Sequence, residues 1–116
     1  MRKHHKLLAW QESVSLVKQV YEISAYYPKE ELYGLTSQIR RAAISVPSNI
    51  AEGAARDSST EFARFLIIAR GSLSELETQL LIAKELGYYH EENIFDKIDN
   101  IFALIGGLLR KVKSEE

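Results

Sequence analysis

The sequence predicts an all-α fold, an antiparallel up-down-up-down four-helix bundle with a proline-kinked second helix. Three observations carry that expectation. Apolar residues recur at steps of three and four through four long segments of the 116-residue chain, the period of an amphipathic helix. Nowhere do β-branched and aromatic residues alternate with polar ones between turn clusters, so strands are not expected. The connections between the periodic segments are short, which sets successive helices side by side in opposite directions.

The first helix is expected over about residues 7–27. One stripe runs Leu7, Trp10, Val14, Val17, Tyr21, Ser24, and a second runs beside it through Leu16, Val20, Ile23 and Tyr27. Together they form an apolar face wider than one bundle seam requires. Tyr27 precedes Pro28 and is steered out of the α region, which ends the helix. The second helix is expected from residue 28 or 32 to 55, with Pro28 in its first turn and Glu30 and Glu31 at the positive end of its dipole. Pro47 lies inside it. An interior proline removes a backbone donor, presses its ring against the carbonyl four residues back, here Ala43, and costs about 3 kcal/mol. Leu32, Leu35, Ile39, Ala43, Val46, Ile50 and Ala54 nevertheless hold their phase across Pro47, so one kinked helix is predicted and not two.

The third helix has the clearest start. Ser58 followed three residues later by Glu61 is a capping box, with Asp57 and Ser59 as neighbouring alternatives. Phe62, Leu66, Ala69, Leu73, Leu76, Leu80 and Ala83 carry the rhythm to Leu86, and Gly87 supplies a left-handed stop after about 28 residues. After Tyr88-Tyr89-His90 the fourth helix repeats the pattern through Ile94, Ile98, Ile101, Ile105, Leu108 and Val112, flanked by Phe95, Phe102 and Leu109. Tyr88 and Tyr89 are expected to staple the turn.

A chain of this size buries one core, so a single domain over 1–116 is expected, with a basic tail at 1–6 and a short tail at 114–116. Hydrophobic residues at 46% and charged residues at 27% exclude disordered and collagen-like classes. There are no cysteines, so disulfides and thiolate metal sites are excluded and a cytoplasmic location is expected. The longest uncharged runs, 42–51 and 101–109, fall short of the roughly 20 residues a spanning helix needs, so no membrane partner is expected. The net charge of −1 gives no overall pull toward polyanions.

Small residues cluster: Ala42, Ala43 and Ser45 on the second helix, Gly71, Ser72 and Ser74 on the third, Gly106-Gly107 in the fourth. A mid-helix glycine costs about 1 kcal/mol relative to alanine, so each cluster predicts a close helix crossing. The double apolar stripe of the first helix and the flanking residues of the fourth exceed what one bundle covers, which predicts self-association.

The segments Gln38-Ile39-Arg40-Arg41-Ala42-Ala43, Ser45-Val46-Pro47-Ser48-Asn49-Ile50-Ala51-Glu52-Gly53 and Ala69-Arg70-Gly71-Ser72-Leu73-Ser74-Glu75-Leu76-Glu77 resemble those of bacterial four-helix bundle proteins encoded in intervening sequences of large-subunit ribosomal RNA genes. Trp10, Tyr21, Tyr27-Pro28, Tyr33-Gly34-Leu35, Arg56 and Glu61-Phe62 fit the same pattern, and the likeness spans nearly the whole chain. It implies a small cytoplasmic bundle that assembles into a ring-like homopentamer, with no enzymatic activity. The chain is also similar to accessory proteins of diversity-generating retroelements, which form pentameric barrels, bind nucleic acid and partner a reverse transcriptase. Those are strongly basic; this chain is slightly acidic.

Two constellations stand out. Arg41, Ser48, Asn49, Glu52 and Glu75 are read as a partly buried polar network that fixes helix register, with Glu75 accepting a forked pair from Arg41 or Arg40; the competing reading is a ligand or phosphate pocket. Arg40, Arg41, Arg56, Arg64 and Arg70, with both termini, are the candidates for nucleic-acid binding, which a ring would repeat about its axis. No catalytic residue, cofactor or metal is predicted: His4, His5 and His90 lie in a tail and a turn, and no Glu-x-x-His pair is present. The expected role is a non-catalytic homo-oligomeric scaffold or adaptor, with itself and RNA or another nucleic acid as partners. The alternatives are an accessory subunit of a nucleic-acid enzyme such as a reverse transcriptase, and a nuclease with an unrecognised site.

Overall fold

The computed structural model describes residues 1–115. Four helices follow one another: α1 (Leu8–Ser24), α2 (Leu35–Ala54), α3 (Ser59–Glu85) and α4 (Asn93–Lys113), with single 3-10 turns at Lys3–Lys6 and Lys29–Glu31. The described residues contain no strand. The molecule measures 46 × 23 × 22 Å, and its long dimension is close to the roughly 40 Å that a helix of α3's length spans at 1.5 Å per residue.

Contacts pair advancing positions of one helix with receding positions of the next. Arg40 meets Ser24 while Pro47 lies beside Val14 and Val17, between α2 and α1. Ser45 meets Ser72 while Gly53 lies against Phe62 and Phe65, between α2 and α3. Gln19 meets Asn93 while Ser15 meets Lys97, between α1 and α4. α1 and α3 each pack on α2 and α4 and sit diagonally to one another.

Several element boundaries differ from the sequence reading for local reasons. α1 ends at Ser24, and Tyr26 and Tyr27 lie in the turn that leads to Pro28. α2 starts at Leu35, later than 28 or 32. The segment before it closes a separate turn, in which the Glu31 carbonyl accepts from the Gly34 N–H at 2.9 Å and its carboxylate from the Leu35 N–H at 3.2 Å. Residues 3–6 are a 3-10 turn packed on α1 and α2 and not a free tail, with His4 edge-on and His5 tilted against Trp10, each at 5.1 Å between ring centres. α2 runs without a break through Pro47; its continuity, not a bend, is what the structure establishes. Gly87 closes α3 with φ +80°, a conformation glycine adopts without strain.

The core takes the inner half of each apolar pattern. On α1 the second stripe is buried, with Leu16, Val20 and Ile23 at 1% exposure or less. The first stripe is covered in part: Ser24 is buried and Leu7, Trp10 and Val17 pack against the core, whereas Val14 and Tyr21 are 42% and 40% exposed. Ile39, Val46 and Ile50 of α2, Leu66, Leu73 and Leu76 of α3, and Ile98, Ile101 and Ile105 of α4 complete the interior.

Of the glycines, Gly53 is the most crowded. A Cβ placed there would stand 2.7 Å from Phe65 Cβ and 3.3 Å from the Phe62 carbonyl oxygen. Gly53→Ala is expected to destabilise the fold, because overpacking of about 1–3 kcal/mol exceeds the helix-propensity gain of up to about 1 kcal/mol. A melting temperature followed by circular dichroism that is unchanged or raised in the variant would show that the crossing relaxes freely.

Candidate assembly surfaces and polar clusters

The residues predicted as one polar network do not form a single cluster. Asn49 donates to the Ser45 carbonyl at 2.8 Å and to Ser45 Oγ at 3.0 Å, and the Ser45 and Ser72 hydroxyls meet at 2.8 Å between α2 and α3. Glu52 pairs with Arg56 at 3.2 Å on the exposed surface. Arg41 and Glu75 line a groove of about 420 Å³ with Gln38, Ala42 and Ser45, but neither joins an ion pair among the described residues. Glu75 accepts from Gln79 at 3.3 Å. The forked pair expected between them is absent for a physical reason: both side chains are exposed, and water solvates them at no desolvation cost. Ser48 lies two turns on from Arg41 and lines the neighbouring groove shared with α1. Asn49 reaches the Ser45 carbonyl, not that of Ala43, which Pro47 deprives of its usual donor.

The five arginines do not converge either. Arg40 donates from Nε to Ser24 Oγ at 2.9 Å and lies 4.6 Å from the Tyr21 ring centre. Arg56 and Arg64 flank the Phe65 ring at 5.0 and 4.6 Å, each neutralised by an acid, Glu52 and Glu61 respectively. Arg41 and Arg70 are exposed. What the sequence did not reveal is where the termini meet. Lys3, Arg56 and Lys111 come together around a cavity of about 440 Å³ that Leu7, Phe62, Val112, Asp57 and Glu115 also line. The N-terminal turn, the α2–α3 connection and the last turn of α4, which carries Arg110, Lys111 and Lys113, thus share one end of the bundle. Residues 3 and 111 are too far apart in sequence for any local pattern to join them.

The opposite end is tied by aromatic and acidic side chains. Tyr88 packs on Tyr27 and donates to Glu31 at 2.8 Å, and Tyr89 lies 4.6 Å from Tyr26. Hydrogen bonding to the Glu31 carboxylate raises the Tyr88 pKa. Lys84 of α3 pairs with Glu92 at 2.8 Å before α4 begins.

Two apolar surfaces stay uncovered. A groove of about 440 Å³ between α1 and α2 is lined by Val14, Val17, Tyr21, Ile44 and Pro47, with Lys18 and Ser48 at its rim. On the far side, α3 exposes Ile67, Ile68, Leu81 and Ile82, each by 40–46%. The small residues divide in the same way. Ala42, Ala43 and Ser45 serve the α2–α3 contact, whereas Gly106 and Gly107 meet only the guanidinium of Arg110 on their own helix, and Gly71 meets nothing within 4 Å. The close crossing predicted at α4 is therefore absent from the protomer.

The described residues include no group of three or more His, Cys, Asp or Glu placed to hold a metal ion, and none of their helices is long and apolar enough to cross a membrane. What remains is a four-helix protein with two oily faces and one basic end. The sequence model of the 23S rRNA-intervening sequence proteins matches residues 5–111. The chain belongs to the 23S rRNA-intervening sequence protein family. That match takes in all of α1, α2 and α3, with α4 as far as Lys111. No curated protein matches the sequence.

Two carboxylates that hold the helix ends carry a pH signature. Ser58 Oγ accepts from the Glu61 N–H at 3.1 Å, which is half of the capping box; the Glu61 carboxylate turns to Arg64 in place of the other half. Hydrogen bonds from Arg64 and Lys84 hold the Glu61 and Glu92 carboxyls below their ordinary value of 4.5. A carboxyl depressed on folding adds stability that is complete above its unfolded pKa and is lost as the pH falls through the folded one. Thermal melts from about pH 6 to about pH 3 are expected to fall less steeply in the double variant Glu61→Gln, Glu92→Gln than in the native protein. Parallel curves would remove both residues from the acid response.

Proposed function

We propose that this protein is a non-catalytic, cytoplasmic scaffold or adaptor that acts as a homo-oligomer, and that the oligomer is a ring-like pentamer. The observation that carries the reading is the pair of uncovered apolar faces, the α1–α2 groove and the outer side of α3. Scattered apolar side chains are ordinary on a monomer, but the α1–α2 groove gathers Val14, Val17, Tyr21, Ile44 and Pro47 in one place, and apolar surface gathered in this way marks an association surface. The number five rests on the family resemblance. Sedimentation equilibrium at micromolar concentration is expected to give five times the 13.2 kDa mass of the chain. A single-chain mass would end the scaffold reading, and another multiple would end the pentamer alone.

A second reading, engagement of RNA, draws on the basic end of the bundle. Lys3, Arg56 and Lys111 there belong to three separate segments, and a symmetric oligomer repeats them in every subunit. Multiple phosphate contacts of this kind bind in a salt-dependent way, with a slope of about −0.7 per phosphate for single strands. Fluorescence anisotropy with single-stranded RNA at low salt is expected to show binding that weakens steeply with salt, and the triple variant Lys3→Gln, Arg56→Gln, Lys111→Gln is expected to weaken it at all sequences alike. Absence of binding by the native protein at low salt overturns this reading and leaves the scaffold intact.

A further inference from the structure

Gly71 sits in the middle of α3, a 27-residue helix, and a Cβ built on it would meet nothing within 4 Å. Its φ is not in the left-handed region, which only Gly87 occupies. Glycine weakens a helix interior, and here neither conformation nor packing within the protomer calls for one. Gly53 makes the contrast, since its missing Cβ is where Phe65 packs.

The neighbours of Gly71 say what does call for it. Ile67, Gly71, Ser74, Thr78 and Ile82 follow one another at steps of three and four and form a single outward line on α3, free of charge from end to end. Its centre is low, its ends are raised by two isoleucines 42% and 46% exposed, and Thr78 already donates its hydroxyl to the Ser74 carbonyl at 2.9 Å, so a closely approaching surface does not strand that group. Small residues at the centre of a helix face let another helix pair come near. Across the molecule, the α1–α2 groove presents Val14, Tyr21 and Ile44, each 40–42% exposed. Lys18 lines the groove, Arg70, Glu75 and Glu85 flank the α3 line, and none of the four joins an ion pair among the described residues.

We infer that the outer line of α3, centred on Gly71, docks into the α1–α2 groove of a second copy of this chain. The inference rests on the self-association proposed above and specifies its geometry. α1 and α3 are diagonal in the bundle, so the two surfaces do not overlap and each docked copy keeps one groove and one line free. Such a contact is head-to-tail: it closes into a ring or runs on as a filament, and a two-fold dimer does not satisfy it.

Two variants, each blocking one surface, test this. Gly71→Leu fills the low centre of α3 while raising its helix propensity, and Ile67→Glu reaches the same line by charge; Ile44→Glu blocks the groove at an exposed position. Circular dichroism reports the fold and sedimentation the mass. Each variant alone is expected to be folded and to fall to the mass of one chain. An equal mixture of Gly71→Leu with Ile44→Glu is expected to give a particle of two chains, because one intact groove meets one intact α3. A native protein that is itself monomeric overturns the self-association reading. Native oligomers that survive both α3 variants overturn the role of α3, and variants that are monomeric alone and in mixture overturn the head-to-tail contact.

Discussion

Where α2 meets α3, the chain has no room for another methyl group. Gly53 accepts the Cβ of Phe65, Ala43 is fully buried, and the Ser45 and Ser72 hydroxyls touch between the two helices. This close approach, the most extensive contact between any two helices of the bundle, draws their backbones together along their length. It orients α3 so that Phe62, Leu66, Leu73 and Leu76 turn inward. The other side of α3 then faces outward, with Gly71 and its isoleucines uncovered. The same packing that makes the core thus decides which apolar residues are left outside it, and the surplus surface follows from the crossing and not from a defect in patterning.

α1 obeys the same constraint from the other side. Its apolar face is two stripes wide; the stripe through Leu16, Val20 and Ile23 is fully covered, and the other only in part, with Val14 and Tyr21 left exposed. Full burial of such a side chain contributes about 1.5–3 kcal/mol relative to exposure, so Val14 and Tyr21 represent unrealised stabilisation within one protomer. Placing them at the groove edge beside Ile44 makes that stabilisation available to a partner. Charges of both signs stand at each end: Lys3, Arg56 and Lys111 with Asp57 and Glu115 at one, and Glu31, Glu91 and Glu92 with Lys84 and His90 near the tyrosines of the other.

The fold was legible because helix formation is read from period and caps, both local. Ser58 caps α3 and Gly87 stops it where their chemistry requires, and Pro47 leaves the phase of α2 intact. The boundaries at residues 24 and 35 were less so, since the turn between them is closed by the Glu31 side chain and by a tyrosine 57 residues further on. The polar sites were hardly legible. Arg41 and Glu75 stand beside one groove as their helical positions demand, but pairing depends on whether water is excluded there, which period does not encode. The glycines give the same lesson: Gly53 and Gly71 are both helix-interior glycines in the sequence, and only the neighbouring helices distinguish the crowded one from the open one.

Pro47 links the inner and outer demands on α2. A proline within a helix costs about 3 kcal/mol, yet α2 continues through it. On either side Ile39, Val46 and Ile50 are at 0% exposure, and at about 1.5–3 kcal/mol each their burial exceeds the proline penalty. Breaking the helix at Pro47 would turn one group or the other out of the core, so the intact helix is the lower state. The buried ring lines the α1–α2 groove together with Val14 and Val17. There it offers an apolar surface with no backbone N–H of its own to satisfy, which suits a groove floor that another helix would cover and water would leave.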